Sequence, residues 1–104
     1  MSGSKKKTGR KEDVKVLERT KRPRRYKVIL HNDNYTPRGF VVQLLEQVFR
    51  LSRSAAAGVM LHVHNNGRGV IGTYPHGIAE TRSAQANKLA REFGFPLMTS
   101  TEPE

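Results

Sequence analysis

A mostly polar stretch, His31 to Pro37 (HNDNYTP), separates two apolar segments of the sequence. Asn32 offers a carbonyl acceptor, Asp33 offers a carboxylate, and a neutral His64 further along the chain would offer a ring nitrogen. Such a set of acceptors suits a small cation with several N–H donors, and the α-ammonium group of a peptide is one. The alternative is ordinary turn chemistry, because Asn and Asp often satisfy nearby backbone N–H groups.

Apolar side chains precede His64, the third of these acceptors. Met60 and Val63 precede His64 on a segment with helical character, so the same stretch can line an apolar cavity. Methionine adapts to ligands of different shape. For His64 itself, the competing interpretation is a histidine on a solvated helix surface.

Metal binding and catalysis find little support in the sequence. His62 and His64 are two residues apart, which on a helix points them about 200° apart, and the chain has no Cys to assist. The Gly-rich segment NNGRGVIG lacks the spacing of a phosphate-binding loop. We therefore predict no metal, no cofactor and no catalytic residue, and metal-dependent hydrolysis through the histidines is the weakest of three functional hypotheses.

The net charge of +10 is concentrated at the N-terminus. Residues 1–25 contain eleven Lys and Arg against three Asp and Glu, whereas residues 26–104 contain eight against six. A segment with so few apolar residues cannot offset its conformational entropy by burial. The sequence predicts a disordered basic extension over 1–24 and one domain over 25–104. A nucleic-acid-binding module that uses this extension is the alternative function, and its affinity for nucleic acid should vanish when 1–25 are removed.

Localisation follows from what the sequence lacks. It has no Cys, no apolar run approaching the roughly 18 residues of a membrane span, and no apolar region typical of a signal peptide. These features favour a cytoplasmic protein that does not contact a membrane.

Six elements must position the acceptors. Strand-like runs alternate with amphipathic helices in the order β-α-α-β-α-β, which indicates an α+β fold with a three-stranded antiparallel sheet covered by three helices on one face. The predicted strands are 26–32, 67–75 and 96–101, and the predicted helices are 36–52, 53–67 and 76–94.

Several residues mark where the helices begin and end. We expect Thr36 to cap the first helix with Pro37 as its first residue, and Ser52 or Ser54 to cap the second. Gly94 should end the third helix in a left-handed conformation. The apolar stripe predicted for the third helix consists of Ile78, Ala79, Ala86, Leu89, Ala90 and Phe93.

The segments YKVILHNDNYTP, VMLHVH, AETR and PLMT together resemble the ClpS adaptor family, over residues 25 to about 102. Members of this family bind peptides by a destabilising N-terminal residue and hand them to an AAA+ Clp unfoldase. The resemblance implies an adaptor without catalysis that accepts N-terminal Phe, Tyr, Trp and Leu. It also implies a monomer that docks on the N-terminal domain of the unfoldase, does not bind nucleic acid, and uses its N-terminal extension in delivery.

The resemblance also implies roles for individual residues. The α-amino group would be received by Asn32, Asp33 and His64. The side-chain pocket would be formed by Thr36, Val41, Met60, Val63 and Leu97, with Arg38 at its rim. The unfoldase would contact Tyr35, Glu80, Thr81 and Arg82.

Four positions depart from the family pattern. Arg38 stands where the family often has Met, a residue linked to gating, and Gly39 follows where a larger residue is common. Asn34 replaces a frequent second Asp, which removes a negative charge near the mouth of the pocket. Gly77 replaces a frequent acidic contact with the unfoldase. The first three bear on the range of N-terminal residues that are accepted, and the last bears on the strength of docking.

Overall fold

The computed structural model of the chain describes residues 24–104. The predicted basic extension therefore lies outside the described residues, apart from its last residue. Within 24–104, no helix combines the length and apolar character that crossing a membrane requires.

Three strands and three helices follow one another in the predicted order β-α-α-β-α-β. Their bounds differ from the predicted ones by a few residues at most. The elements are β1 (Arg25–His31), α1 (Arg38–Phe49), α2 (Arg53–Asn66), β2 (Arg68–Pro75), α3 (His76–Glu92) and β3 (Met98–Pro103).

The sheet has the order β2-β1-β3, and both pairings are antiparallel, which confirms the predicted sheet. The pairing of β1 with β2 is irregular at one point: Val28 lies opposite Gly72, but Ile29 lies opposite Val70. Ile71 is the extra residue of this bulge, and it packs in the core with only 6% of its surface exposed. A bulge of this kind re-aims a side chain locally, and here it adds Ile71 to the core.

The core lies between one face of the sheet and the three helices. Val28 and Leu30 of the central strand pack against Leu45 of α1 and the alanines of α3. On the other face of the sheet Ile29 is nevertheless buried. Arg68 on β2 lies opposite His31, and Glu102 on β3 lies opposite Lys27, so the two residues sit diagonally on either side of Ile29. They form an ion pair, and their side chains therefore reach across Ile29 and cover it.

The stripe predicted for α3 is partly wrong. Ala79, Ala86 and Ala90 are buried as expected, but Ile78 is 45% exposed and Phe93 is 62% exposed. The buried positions of this helix are Ala79, Ser83, Ala86 and Ala90, at alternating intervals of four and three residues. Ile78 lies one residue, or about 100°, off that stripe, and Phe93 lies beyond the last helical residue.

The buried Ser83 is compatible with the core because its hydroxyl is satisfied. Its Oγ lies 2.6 Å from Oγ1 of Thr99 on β3, which is also buried. Asn87 completes the link between α3 and β3, since its side chain accepts from the backbone N–H of Thr99 and donates to the Thr99 carbonyl. These bonds fix β3 against α3 and so fix the segment that precedes β3.

Candidate functional site

A cavity of about 320 Å³ opens where β1 ends. Its walls come from the turn after β1, the first turns of α1, the second half of α2 and the residue before β3. All nine residues predicted to form the amine site and the side-chain pocket line this cavity: Asn32, Asp33, Thr36, Arg38, Val41, Met60, Val63, His64 and Leu97.

Asp33 organises the turn that forms the polar end of the cavity. Its Oδ1 accepts hydrogen bonds from the backbone N–H groups of Tyr35 (2.8 Å) and Thr36 (2.7 Å). Its Oδ2 accepts from the hydroxyl of Thr36 at 2.9 Å. The turn-chemistry interpretation therefore holds for Asp33. A carboxylate has about four lone-pair positions, so one remains for a further donor.

Thr36 does not cap α1, contrary to our prediction. The helix begins at Arg38, and its N-cap residue is Pro37, with an extended backbone and no side-chain capping bond. The first helical bond runs from the N–H of Val41 to the carbonyl of Pro37 at 3.1 Å. Thr36 lies one residue too early to cap, and its hydroxyl donates to Asp33 instead.

The same contacts govern the charge of Asp33. Partial burial alone would raise the pKa of this carboxyl group. The hydrogen bonds from Thr36 and Tyr35, helped by the positive charge of Arg91, outweigh burial and hold the pKa below its ordinary value. Asp33 is therefore ionised at neutral pH and acts only as an acceptor.

A backbone bond brings the turn close to the end of α2. The N–H of Asn32 donates to the carbonyl of Gly67 at 2.9 Å. Gly67 ends α2 in the left-handed region (φ 90°), and its own N–H donates to Val63 at 2.8 Å. This connection holds Asn32 near His64, which is three residues before Gly67. Asn32 is exposed, and within 24–104 no protein group hydrogen-bonds its side chain.

His64 faces the cavity and contacts Arg38. The distance between Nε2 of His64 and Nη2 of Arg38 is 3.0 Å. A guanidinium group can only donate, so Nε2 must be the unprotonated nitrogen and Nδ1 must carry the proton. His62 lies elsewhere, beside Asn66 and against Gly69 of β2, as the two-residue spacing predicts. No group of three or more His, Asp or Glu suited to a metal ion exists within 24–104.

The apolar wall combines buried and half-buried side chains. Val63 and Leu97 are buried (3% and 1% exposed), whereas Val41 and Met60 are half-buried. Leu97 is also held through its backbone, because Arg91 donates to its carbonyl at 2.8 Å. One part of the wall therefore belongs to the core, and the other part can adjust to a ligand.

The four residues predicted to contact the unfoldase do not form one cluster. Glu80, Thr81 and Arg82 lie in the second turn of α3, whose first residue, His76, stacks on Tyr26 near the start of β1. Tyr35 lies in the turn beyond the opposite end of β1 and is 79% exposed. Arg82 is half-buried and donates to the carbonyl of Val48 at 2.7 Å.

Sequence reasoning missed two residues that support the site. Arg91 lowers the pKa of Asp33 and holds Leu97, and Gly67 supplies the carbonyl that anchors Asn32. The sequence carried a signal for Gly67, since Asn66-Gly67 marks the end of a helix. Nothing in the sequence distinguishes Arg91 from other surface arginines.

Comparisons with known proteins agree on one family. A family model described as ATP-dependent Clp protease adaptor protein ClpS matches residues 21–100. The adapter protein ClpS of Oleidesulfovibrio alaskensis is 47% identical over 102 residues, which cover 98% of each chain. That of Wolinella succinogenes is 50% identical over 92 residues, covering 88% of this chain and 86% of the relative. The solved structure of Agrobacterium tumefaciens ClpS2 bound to L-phenylalaninamide is 48% identical, with a TM-score of 0.78, and the match covers 80% of this chain and all of that one.

Proposed function

This chain belongs to the ClpS family of ATP-dependent Clp protease adaptor proteins, and from that membership we propose that it binds proteins by a free, bulky hydrophobic N-terminal residue and hands them to a Clp AAA+ unfoldase. The observation that carries the proposal is a single cavity with hydrogen-bond acceptors at one end and apolar side chains at the other. The N-terminal residue of such a substrate has two matching groups, an α-ammonium group and a bulky hydrophobic side chain.

The polar end suits an ammonium group. Three acceptors, the side-chain carbonyl of Asn32, the free lone pair of Asp33 and Nε2 of His64, would receive its three N–H donors. The charge of Asp33 strengthens these bonds. An internal or acetylated residue has at most one N–H donor at this position and no positive charge, so it would leave acceptors unpaired.

The apolar end suits one large side chain. Ligand cavities are commonly about 300–1,000 Å³, so a cavity of about 320 Å³ is small and fits a single residue better than a peptide. An aromatic side chain buries about 150–250 Å². The A. tumefaciens relative was solved with L-phenylalaninamide, which has both a free amine and an aromatic ring. We expect N-terminal Phe, Tyr, Trp and Leu to be accepted.

In the function proposed here, the protein acts by binding alone. The cavity gathers hydrogen-bond acceptors and apolar side chains, with the guanidinium of Arg38 at its rim, and the adaptor role requires no bond to be made or broken. The nucleic-acid-binding alternative rests on residues 1–25, and the relatives from O. alaskensis and W. succinogenes are both described as Clp protease adapter proteins. We therefore propose a non-catalytic, monomeric, cytoplasmic adaptor.

Delivery involves surfaces other than the cavity. We propose that Glu80, Thr81 and Arg82 contact the N-terminal domain of the unfoldase, with Tyr35, which also lines the cavity, making a separate contact. The supporting observation is that Glu80 and Thr81 are exposed on one turn of α3. Gly77 has open space where a Cβ would be, so no crowding explains the glycine there. The basic extension, 1–24, is proposed to assist delivery rather than binding.

A fluorescence titration tests the binding function. Labelled peptides that differ only in residue 1 (Phe, Tyr, Trp, Leu, Ala and Ser) would be compared with acetylated Phe. We expect tight binding of the first four and at least a tenfold loss on acetylation, since charge-assisted bonds are lost. Equal binding of the free and acetylated Phe peptides would refute the amine site.

A degradation assay tests the delivery function. Deleting 1–24 should leave the affinity for a Phe-initiated peptide unchanged and should slow ATP-dependent degradation at saturating adaptor. Equal degradation rates would show that the extension has no role in delivery. Lost peptide binding would show that the domain begins earlier than residue 25.

A further inference from the structure

Arg38 and His64 meet across the mouth of the cavity. Arg38 is the first residue of α1, His64 is in the last turn of α2, and both line the cavity. Their side-chain nitrogens, Nη2 and Nε2, are 3.0 Å apart. The contact therefore occupies the nitrogen of His64 that an incoming amine would need.

Helix stability does not explain an arginine at position 38. The N-terminus of a helix carries partial positive charge, which disfavours a cation in the first turn. The first turn of α1 has no acidic residue to compensate, and its N-cap makes no side-chain bond. The guanidinium group instead extends to His64, so the contact with the imidazole is the interaction that the structure offers for this side chain.

A neutral imidazole has one acceptor lone pair, and both a guanidinium and an ammonium group can only donate. The two cations therefore cannot hold Nε2 of His64 at the same time. We propose that Arg38 is an internal competitor for the amine site, bound to His64 in the empty protein and displaced when a free N-terminus binds. This inference rests on the proposed function and adds a specificity-determining residue to it.

The displaced guanidinium has no carboxylate of the cavity available to it. Asp33 is the one acid among the described cavity-lining residues; three of its roughly four lone-pair positions accept bonds from Tyr35 and Thr36, and the bound ammonium would take the remaining one. Asn34, which also lines the cavity, offers only a neutral amide. Arg38 is exposed, so water can solvate the displaced guanidinium, but a ligand carboxylate would give it a charged partner; Arg38 should therefore favour substrates with Asp or Glu at the second or third position.

A binding experiment on the full chain separates competition from its alternatives. L-phenylalaninamide, which has no downstream residues, and peptides beginning Phe-Ser, Phe-Glu and Phe-Lys would be titrated against the wild type, Arg38→Ala, Arg38→Met, His64→Ala and Arg38→Ala/His64→Ala. Arg53→Met is the matched control, because Arg53 is 80% exposed at the start of α2 and does not line the cavity. Circular dichroism confirms that each variant folds.

Both Arg38 variants should bind L-phenylalaninamide about threefold to tenfold more tightly than the wild type, the range expected for loss of one competing hydrogen bond. In the His64→Ala background, Arg38→Ala should change the affinity less than about twofold, because the contested atom is gone. The wild type should prefer Phe-Glu to Phe-Ser, and the preference should disappear in both Arg38 variants. Arg53→Met should behave as the wild type.

Three results would overturn the inference. Weaker binding of L-phenylalaninamide by the Arg38 variants would mean that Arg38 positions His64 for the ligand. An equal gain in the His64→Ala background, or the same gain in Arg53→Met, would mean that Arg38 acts through general charge. Failure of the wild type to bind any Phe-initiated ligand would instead refute the proposed function, so the two failures are distinguishable.

Discussion

At its polar end the cavity is held by hydrogen bonds, and at its apolar end it is held by packing. Asn32 and the turn that Asp33 organises lie largely in solvent, and the backbone bond to Gly67 anchors them. Val63 and Leu97 belong to the same cluster of buried side chains as the centre of the sheet. Asn32 can therefore be specialised for binding with little effect on folding, whereas Asp33, which organises the turn, and the buried residues of the apolar end serve both.

The largest effect is expected for Leu97→Ala at the apolar end. Removing a side chain that is 1% exposed leaves a cavity in the core and should lower the free energy of unfolding by about 2–5 kcal/mol. The neighbouring Met98→Ala is the matched control, because Met98 is 45% exposed. Urea denaturation followed by circular dichroism measures both. Equal losses in the two variants would contradict the assignment of Leu97 to the core.

Asp33→Ala should affect both folding and binding, because Asp33 organises the polar end. Loss of the bonds to Tyr35 and Thr36 should cost about 1–2 kcal/mol of stability, as the loss of a capping residue does. Affinity for a Phe-initiated peptide should fall about tenfold or more. Asn34→Ala, in the same turn, is the control for stability. If Asp33→Ala changes affinity but not stability, its bonds within the turn are unimportant.

Asn32→Ala should separate binding from folding. Its exposed side chain has no partner within the described residues, so the free energy of unfolding should change by less than about 0.5 kcal/mol. Affinity for a Phe-initiated peptide should fall about tenfold to a hundredfold. His64→Ala should fall in the lower part of that range, because the variant also removes the attachment point of Arg38. His62→Ala is the matched control on the other side of α2, and an equal loss there would contradict the site.

The smallest effect is a pH dependence at the polar end. The pKa of Asp33 is lower in the folded protein than in the unfolded chain, so its ionised form stabilises the fold. That contribution is complete above the unfolded pKa, about 3.9, and is lost as the pH falls through the folded value. The stability difference between the wild type and Asp33→Asn should be constant from pH 5 to 7 and should shrink below about pH 4. A stability difference that does not change with pH would show that the charge of Asp33 does not stabilise the fold.

Much of the fold follows from local patterns in the sequence. The order of strands and helices, the left-handed Gly94 (φ 80°) and the cap of α2 by Ser52 were all predictable, because each depends on residues within one or two turns. Phe93 was mispredicted because α3 ends before it, and Ile78 because burial depends on how α3 rotates against the sheet. A hydrophobic residue one position off the contact line remains exposed whatever its type.

The acceptors at the polar end also divide into features that local sequence indicates and features that only the packing of the helices determines. Residue types alone indicated that Asn32, Asp33 and His64 accept hydrogen bonds, and the turn Asp33–Thr36 is closed by bonds that span only three residues. The fold then determined that Gly67 anchors Asn32, that Leu97 forms a wall of the cavity and that Arg38 lies within 3.0 Å of His64. The last of these joins residues 26 apart in the chain. Contacts of that kind depend on how α1 and α2 pack and turn about their axes, and no local pattern encodes that geometry.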